Sequence, residues 1–220
     1  METESKIRVV LVDSLLLVLE CLRDRLNSES GIEVVGTALS SDAAILVVDQ
    51  LLPDVVLIDI ELPGRGVLES IAELRCRHRQ MKFLILTRLA SDILLAHAIQ
   101  VQANGYVLKS EPLATVIEAI RHVVQGRPVF SDPIRDRLHF DGEKNNYSLK
   151  TNQPAADLTS RQMEVLRHLA RGASVKEVAK LMHLSQKSVD SHKYRIMNKL
   201  GIHDRVDLTR YAIREQIIEA

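Results

Sequence analysis

Short apolar runs alternate with longer amphipathic stretches through residues 7–126, and this alternation constrains the fold more than any other feature of the chain. The runs are rich in Val, Ile and Leu, which is typical of strands buried on both faces of a parallel sheet. They are IRVVLV, IEVVGTA, DVVLID, KFLILT and GYVLK. Helices are predicted between and after them, at about 15–28, 41–51, 67–77, 91–101 and 112–125. We therefore predict an α/β fold with a doubly wound, five-stranded parallel sheet.

Polar residues stand at the ends of four of the predicted strands. They are Asp13, Asp59, Thr87 and Lys109. In a doubly wound sheet the functional site lies beyond the carboxyl ends of the strands, so these side chains are expected to converge. A carboxylate there could be a nucleophile or a metal ligand, and a hydroxyl and an ammonium group could hold phosphoryl oxygens. A single polar residue often ends a strand. Polar residues at the ends of four strands of one sheet are much less expected by chance.

Residues 7–126 resemble the receiver domain of response regulators. The resemblance implies that Asp59, within LIDIELPG, is the phosphoacceptor, and that Thr87 and Lys109 sense the phosphoryl group. It further implies that Tyr106 in GYVLK is the switch aromatic and that a histidine kinase or a small phosphodonor is a partner.

The magnesium site implied by this resemblance is altered in this chain. It would use Asp13, Asp59 and the backbone carbonyl of Glu61, since Mg²⁺ prefers oxygen ligands. In the family a second acid usually follows the first and is the direct metal ligand, but here that residue is Ser14. The site loses one full charge, and Mg²⁺ is expected to bind weakly or to be absent.

Arg88 is a second departure from the receiver pattern. It follows Thr87, where the family normally has a small residue. Its guanidinium could act as a pocket cation that reaches and neutralises Asp59, or it could lie on the surface without a role.

Residues 158–201 predict three helices with short turns. Thr159, Ser174 and Ser185 are suited to cap them, and Glu177 completes a capping box with Ser174. Two short helices joined by a turn of three to four residues form a helix-turn-helix, whose second helix enters the DNA major groove.

The third of these helices has one apolar stripe and one polar, basic face. With about 100° per residue, Val189, Ile196 and Leu200 align. The opposite face suits base edges and phosphates, although an ordinary helical bundle could also have a solvated face of this kind. The candidate DNA-binding residues are Lys176, Ser185, Lys187, Ser188, Asp190, Ser191, Tyr194, Arg195 and Arg205.

The stretch from Leu158 to about Ile217 resembles the LuxR-type helix-turn-helix of the NarL/FixJ family of response regulators. The matching segments are LTSRQMEVL, ASVKEVAKLMHLS, KSVDSHKYRIMNKL and RVDLTRYAI. The resemblance implies base contacts from Asp190, Ser191 and Tyr194, and a dimer surface on the last helix, at about 205–218.

Asp190 departs from a position that is often basic in this family. An acid there repels phosphate and could accept a hydrogen bond from cytosine N4. It could also turn toward Lys187 or Lys193.

We predict that the chain divides into a receiver at 7–126, a linker at 127–156 and a DNA-binding domain at 157–220. Within the linker, a short helix is predicted at about 132–140, with Ser131 or Asp132 as its cap. The polar stretch 141–157 lacks periodicity and is predicted to be flexible.

Charge and composition support this division. Residues 1–126 hold 12 Lys and Arg against 17 Asp and Glu, a net charge of −5, whereas residues 157–220 hold 12 against 8, a net charge of +4. Two cysteines, Cys21 and Cys76, are too few for a disulfide framework, and no apolar run approaches the roughly 18 residues of a membrane span. These features predict a cytoplasmic protein without a membrane partner.

The sequence favours a DNA-binding transcriptional regulator of the two-component type, a homodimer controlled by phosphorylation at Asp59. The alternative is the same DNA-binding regulator with a degenerate receiver that is controlled independently of phosphorylation. A hydrolytic enzyme using Asp59 and Lys109 is disfavoured because no base lies beside a hydroxyl nucleophile in a known motif. An adaptor without DNA binding is suggested only by Asp190.

Overall fold

The computed structural model describes residues 6–63, 66–142, 146–150 and 158–218, which form two compact units. The first unit comprises the residues up to Arg88 together with Val101–Asp132. The second comprises Leu89–Gln100 and the residues from Pro133 onward.

The first unit contains a parallel sheet of six strands, so the prediction of a doubly wound parallel sheet is confirmed and its number of strands was wrong. The strands are β1 (Ile7–Val12), β2 (Ile32–Ala38), β3 (Val55–Ile58), β4 (Lys82–Thr87), β5 (Gly105–Leu108) and β6 (Val129–Phe130). Their order in the sheet is β2-β1-β3-β4-β5-β6. Strand β6 has two residues, too short for any periodicity, and it forms because its backbone pairs with Gly105 and Tyr106.

Helices cover both faces of this sheet. They are α1 (Leu16–Asn27), α2 (Ser41–Leu51), α3 (Val67–Arg77) and α5 (Leu113–Val124). Inward-facing residues of α1 and α5, such as Leu19 and Ile120, pack with Leu11, Leu57 and Leu84 in a single buried cluster. Successive strands are added to one side of β1 as far as β2 and to its other side from β3 onward, and binding sites in such folds lie outside the carboxyl ends of the strands where this order reverses.

The second unit begins with helix α4 (Asp92–Gln100), followed along the chain by α6 (Asp132–Arg135), β7 (Leu138–Asp141) and β8 (Asn146–Leu149). The prediction of a helix to about residue 140 was wrong, because α6 ends at Arg135 and β7 and β8 form an antiparallel hairpin. Phe140 lies opposite Tyr147 in this hairpin, with ring centroids 4.9 Å apart, and aromatic cross-strand pairs of this kind stabilise a hairpin. The prediction of a flexible segment at 141–157 was therefore wrong at residue 141 and at 146–149, which lie in β7 and β8, and residues 143–145 and 151–157 of that segment lie outside the described residues.

Helix α4 and the residue before it contact later residues of the second unit. The His97 ring is completely buried, with Nδ1 2.9 Å from the Ile93 carbonyl oxygen and Nε2 2.5 Å from the Leu158 carbonyl oxygen. The Ser91 hydroxyl donates to the Glu215 carbonyl oxygen at 2.6 Å. These polar contacts hold α4 against backbone carbonyl groups that are far away in the sequence.

Four helices complete the second unit, and the N-caps of the first three confirm the prediction from sequence. They are α7 (Ser160–Ala170), α8 (Val175–Leu181), α9 (Gln186–Leu200) and α10 (Arg205–Arg214). Thr159 and Ser174 each form a capping box, with Gln162 and Glu177 respectively, and the Ser185 hydroxyl accepts from the Ser188 N–H at 3.1 Å. Gly201 ends α9 in the left-handed region at φ 64, which glycine adopts without strain. The short turn between α8 and α9 gives the helix-turn-helix its geometry.

Within the described residues, no helix combines the length and the apolar character that a membrane span requires.

We expect Gln102→Gly to stabilise the first unit. Gln102 is exposed with φ 56, and the left-handed region costs a residue with a Cβ about 1–2 kcal/mol. Glycine avoids this cost but loses more entropy on folding, so the net gain in the free energy of unfolding is expected to be about 0.5–1 kcal/mol. Urea unfolding measures it. The control Gln50→Gly, at an exposed position in α2, should lose up to about 1 kcal/mol, and a loss in both variants would contradict the strain argument.

Candidate phosphoacceptor site and helix-turn-helix surface

The four polar residues predicted at the strand ends lie at the carboxyl edge of the sheet. Asp13, Asp59 and Thr87 are almost entirely buried, with exposed fractions of 3, 4 and 0%. Backbone hydrogen bonds between neighbouring strands fix these positions: the Asp59 N–H donates to Val12 O at 2.9 Å, and the Lys109 N–H donates to Thr87 O at 2.7 Å. The parallel register therefore holds the four residues at one end of β1, β3, β4 and β5.

Lys109 bridges the two aspartates. Its Nζ donates to Asp13 Oδ2 at 2.5 Å and to Asp59 Oδ2 at 2.7 Å. The other oxygen of each carboxylate accepts from the backbone, Asp13 Oδ1 from the Leu15 N–H at 2.9 Å and Asp59 Oδ1 from the Glu61 N–H at 3.1 Å. Both carboxylates are thus oriented by donors on each of their oxygens.

The charges of this cluster determine the protonation of Lys109. Burial of the ammonium group is the largest influence and lowers the pKa of Lys109. The hydrogen bonds and charges of Asp13 and Asp59 outweigh burial, and together they raise the pKa above its ordinary value. Lys109 is therefore a permanent cation between two carboxylates.

Ser14 and Arg88 lie beside this cluster. Ser14 is exposed and contributes no charge. The Arg88 guanidinium forms an ion pair with Glu61, with 3.4 Å between Nη2 and Oε2, and about half of the Arg88 side chain is exposed. Asp59 accepts a hydrogen bond from Lys109. The sequence suggested Asp59 as a partner of Arg88, but the ion pair of Arg88 is with Glu61.

Tyr106 and Ser131 fix the neighbouring end of β5. Tyr106 is completely buried, and its carbonyl oxygen accepts from the Ser131 N–H at 3.1 Å. The Ser131 hydroxyl accepts from the Leu108 N–H at 2.9 Å, one residue before Lys109. The sequence suggested Ser131 only as a possible helix cap, since a hydrogen bond across 23 residues leaves no local signal.

Helix α9 has the two faces that its sequence predicted. Val189 and Ile196 are completely buried and Leu200 is half-buried. The polar face points to solvent, and Tyr194 is 68% exposed. The exposed residues of this face are Lys187, Asp190, Ser191, Tyr194, Arg195 and Asn198.

The remaining candidate DNA-binding residues lie around α9. Lys176 is exposed in the first turn of α8, and Ser185 and Ser188 form the N-terminal cap of α9. Arg205 has a structural contact, since its Nη2 donates to Leu169 O at 3.1 Å and to Ala173 O at 2.7 Å. The Leu169 carbonyl belongs to the last turn of α7, where a cation is favourable, and Ala173 lies in the turn between α7 and α8.

Comparison with known proteins identifies both parts of the chain. Residues 9–121 match the family model of the response regulator receiver domain, and residues 156–212 match that of the bacterial regulatory proteins of the luxR family. The chain belongs to the response regulators. The luxR-type members of this family are DNA-binding transcriptional regulators rather than enzymes, in agreement with the sequence prediction.

Full-length relatives share this organisation. The chain is 33% identical over 214 residues to the response regulator UvrY of Escherichia coli strain K12, covering 97% of each chain. It is 31% identical over 215 residues to the oxygen regulatory protein NreC of Staphylococcus aureus strain MRSA252, covering 96% of this chain and 99% of that protein.

Solved structures share the fold. RcsB from Salmonella enterica serovar Typhimurium, in a structure bound to promoter rprA with phosphomimetic BeF3−, has a TM-score of 0.72 at 23% identity, covering 94% of this chain and 98% of that chain. A LuxR-family two-component response regulator from Aurantimonas sp. SI85-9A1 has a TM-score of 0.57 at 30% identity, covering 60% of this chain and 94% of that chain.

Replacing the bridging lysine should destabilise the receiver. Lys109→Met leaves two buried carboxylates without their shared cation, and removing one partner of a buried ion pair costs about 3–5 kcal/mol. Urea unfolding at neutral pH in the presence of EDTA measures the loss. The double variant Lys109→Met/Asp59→Asn should lose less, because only one buried charge remains unpaired. Equal losses in the two variants would contradict the role of Lys109 as the counter-charge of Asp59.

Proposed function

We propose that phosphorylation of Asp59 controls the binding of this regulator to double-stranded DNA. The observation that carries the proposal is the bridge from Lys109 Nζ to Asp13 and Asp59, which gives a buried, oriented carboxylate with a cation already beside it. Thr87 ends the neighbouring strand and supplies a hydroxyl at the same edge of the sheet.

Asp59 is suited to be the nucleophile of phosphoryl transfer. One of its carboxylate oxygens attacks phosphorus, the bond between phosphorus and the donor breaks, and the electron pair of that bond leaves with the donor. The donor is the phosphohistidine of a kinase or a small phosphodonor. The Lys109 ammonium and the Thr87 hydroxyl then stabilise the negative oxygens of the phosphoryl group.

A bound Mg²⁺ would supply further charge neutralisation to the phosphoryl oxygens. Asp13, Asp59 and the backbone carbonyl of Glu61 would hold it, and these oxygens are the donor type that Mg²⁺ prefers. The fit is weakened in two ways: each carboxylate already accepts from Lys109, and Ser14 replaces a charged ligand. We therefore propose a magnesium site of low affinity.

Phosphorylation of Asp59 changes the negative charge that Lys109 contacts. A phosphoryl group on Asp59 carries more negative charge than the carboxylate, so Lys109 and Thr87 are drawn toward it. Tyr106 lies buried on the same strand as Lys109, and we propose that its packing responds to this change.

We propose that residues 157–220 are the DNA-binding domain, joined by a linker at 127–156 to the receiver at 7–126. The exposed polar face of α9, at the position of the second helix of the helix-turn-helix, supports this assignment. In the proposal Ser191 and Tyr194 contact bases, and Lys176, Lys187, Arg195 and the N-terminal end of α9 with Ser185 and Ser188 contact phosphates. RcsB, which shares the fold, is described bound to promoter DNA.

We further propose that the chain acts on DNA as a homodimer. Val206 and Ile213 on α10 are apolar and exposed, at 59 and 38%. RcsB is described as two dimers on two parallel DNAs. A two-fold axis would present two α9 helices to half-sites about one DNA turn apart.

A second candidate is the same regulator with a receiver that does not use phosphorylation. It is favoured by the missing charge at Ser14 and by the ion pair between Arg88 and Glu61, which stands beside the pocket. Lys109 already neutralises part of the charge of the two aspartates without a metal ion.

Restoring the missing acid should strengthen the magnesium site. Ser14→Asp adds a unit charge close to a divalent ion, which is expected to tighten Mg²⁺ binding on the order of tenfold or more. Isothermal calorimetry measures this affinity, and intact-mass spectrometry measures phosphorylation by acetyl phosphate. The control Ser14→Asn has a similar shape without the charge. Equal Mg²⁺ affinity in the two variants would contradict an electrostatic role for this position.

Base-reading and phosphate-contacting residues should respond differently to substitution. Tyr194→Ala is expected to cost about 1–3 kcal/mol on a cognate DNA site and to change the base preference. Lys176→Ala should weaken binding to cognate and random DNA alike and reduce the salt dependence of binding. Fluorescence anisotropy with both DNAs over a range of salt concentrations measures these effects. If both variants lose the same binding free energy on cognate and on random DNA, the assignment of base contacts to Tyr194 is contradicted.

A further inference from the structure

Asp190 is an exposed acid on the recognition helix. It follows the buried Val189 in the N-terminal half of α9, the part of a recognition helix that contacts base edges. Lys187 and Lys193 lie three residues before and after it, a spacing that permits ion pairs on a helix. Yet among the described residues none forms an ion pair or a side-chain hydrogen bond with the Asp190 carboxylate. Its acceptor oxygens are available to a ligand.

A free carboxylate in this position selects among the four bases. It only accepts hydrogen bonds, so it needs a donor in the major groove. Guanine presents two acceptors there, thymine presents one acceptor and a methyl group, and adenine sets an acceptor beside its amino donor. Cytosine presents the N4 amino donor and no acceptor, and is therefore the base that matches Asp190.

We propose that Asp190 is a specificity-determining residue that reads a cytosine in each half-site of the DNA. This inference rests on the proposed DNA-binding function. It restricts the preferred DNA sites to those with a cytosine at one position. The same carboxylate repels phosphate, so it also weakens binding to sequences that do not offer the cytosine. Asp190 therefore acts by selection rather than by adding overall affinity.

The test uses the full-length protein treated with acetyl phosphate and Mg²⁺. DNA sites are selected from a random duplex library and sequenced for wild type, Asp190→Ala and Tyr194→Ala. Glu20→Ala is the matched control, since it removes an exposed acid from a helix of the other unit, outside the helix-turn-helix and the proposed dimer surface. Dissociation constants are then measured on the selected site, on the site with the cytosine pair changed to a thymine–adenine pair, and on random DNA.

Wild type and Glu20→Ala should both select the cytosine and lose about tenfold or more on the thymine site. Asp190→Ala should discriminate between the two sites by less than about twofold and bind random DNA more tightly. Unchanged cytosine selection in Asp190→Ala would overturn the inference. If Tyr194→Ala alters base selection in the same experiment, the proposed DNA-binding function still stands. Absence of sequence-selective binding in wild type would remove the proposed function, and the inference with it.

Discussion

The ammonium group of Lys109, held between the carboxylates of Asp13 and Asp59, is the interaction on which the receiver depends. Two carboxylates that are 3 and 4% exposed would repel each other strongly without a cation between them. The sheet makes the arrangement possible, because its parallel register brings the ends of β1, β3 and β5 to one edge. The same ammonium group stands where a phosphoryl group on Asp59 would have to be neutralised. A contact that stabilises the fold is therefore also the one that the proposed chemistry would change.

The sequence predicted this edge because parallel strands leave a strong local signal. Long apolar runs gave β1 to β5, and the polar residue at each run's end gave Asp13, Asp59, Thr87 and Lys109. The sixth strand and the β7–β8 hairpin were missed for a common reason. Two residues of β6, or four polar-flanked residues such as Asn146–Leu149, form strands through pairing with other segments and not through their own pattern. The ion pair of Arg88 with Glu61 was equally invisible, since the sequence does not reveal which of several nearby acids a long side chain will meet.

The two halves of the chain use charge in opposite ways. In the receiver, two buried carboxylates hold a lysine whose side chain is 14% exposed, so a change of charge at Asp59 acts strongly on its neighbours. On α9, charged and hydroxyl groups stay exposed while Val189 and Ile196 hold the helix in the domain core. Asp190 belongs to this second kind: within the described part of the domain its carboxylate has no side-chain partner, which suits a residue that selects a base. A pocket sensitive to phosphorylation and a surface sensitive to sequence are the two parts that a regulated transcription factor requires.

The most direct test of this account is the DNA affinity of the full-length protein before and after treatment with acetyl phosphate, compared with Asp59→Asn under the same conditions. Wild type should gain one phosphoryl group by intact mass and change its DNA affinity by about 5–150-fold, the usual range of allosteric coupling. Asp59→Asn should gain no phosphoryl group and keep its affinity. A wild-type affinity that does not change after phosphorylation, or an equal change in Asp59→Asn, would contradict control through Asp59.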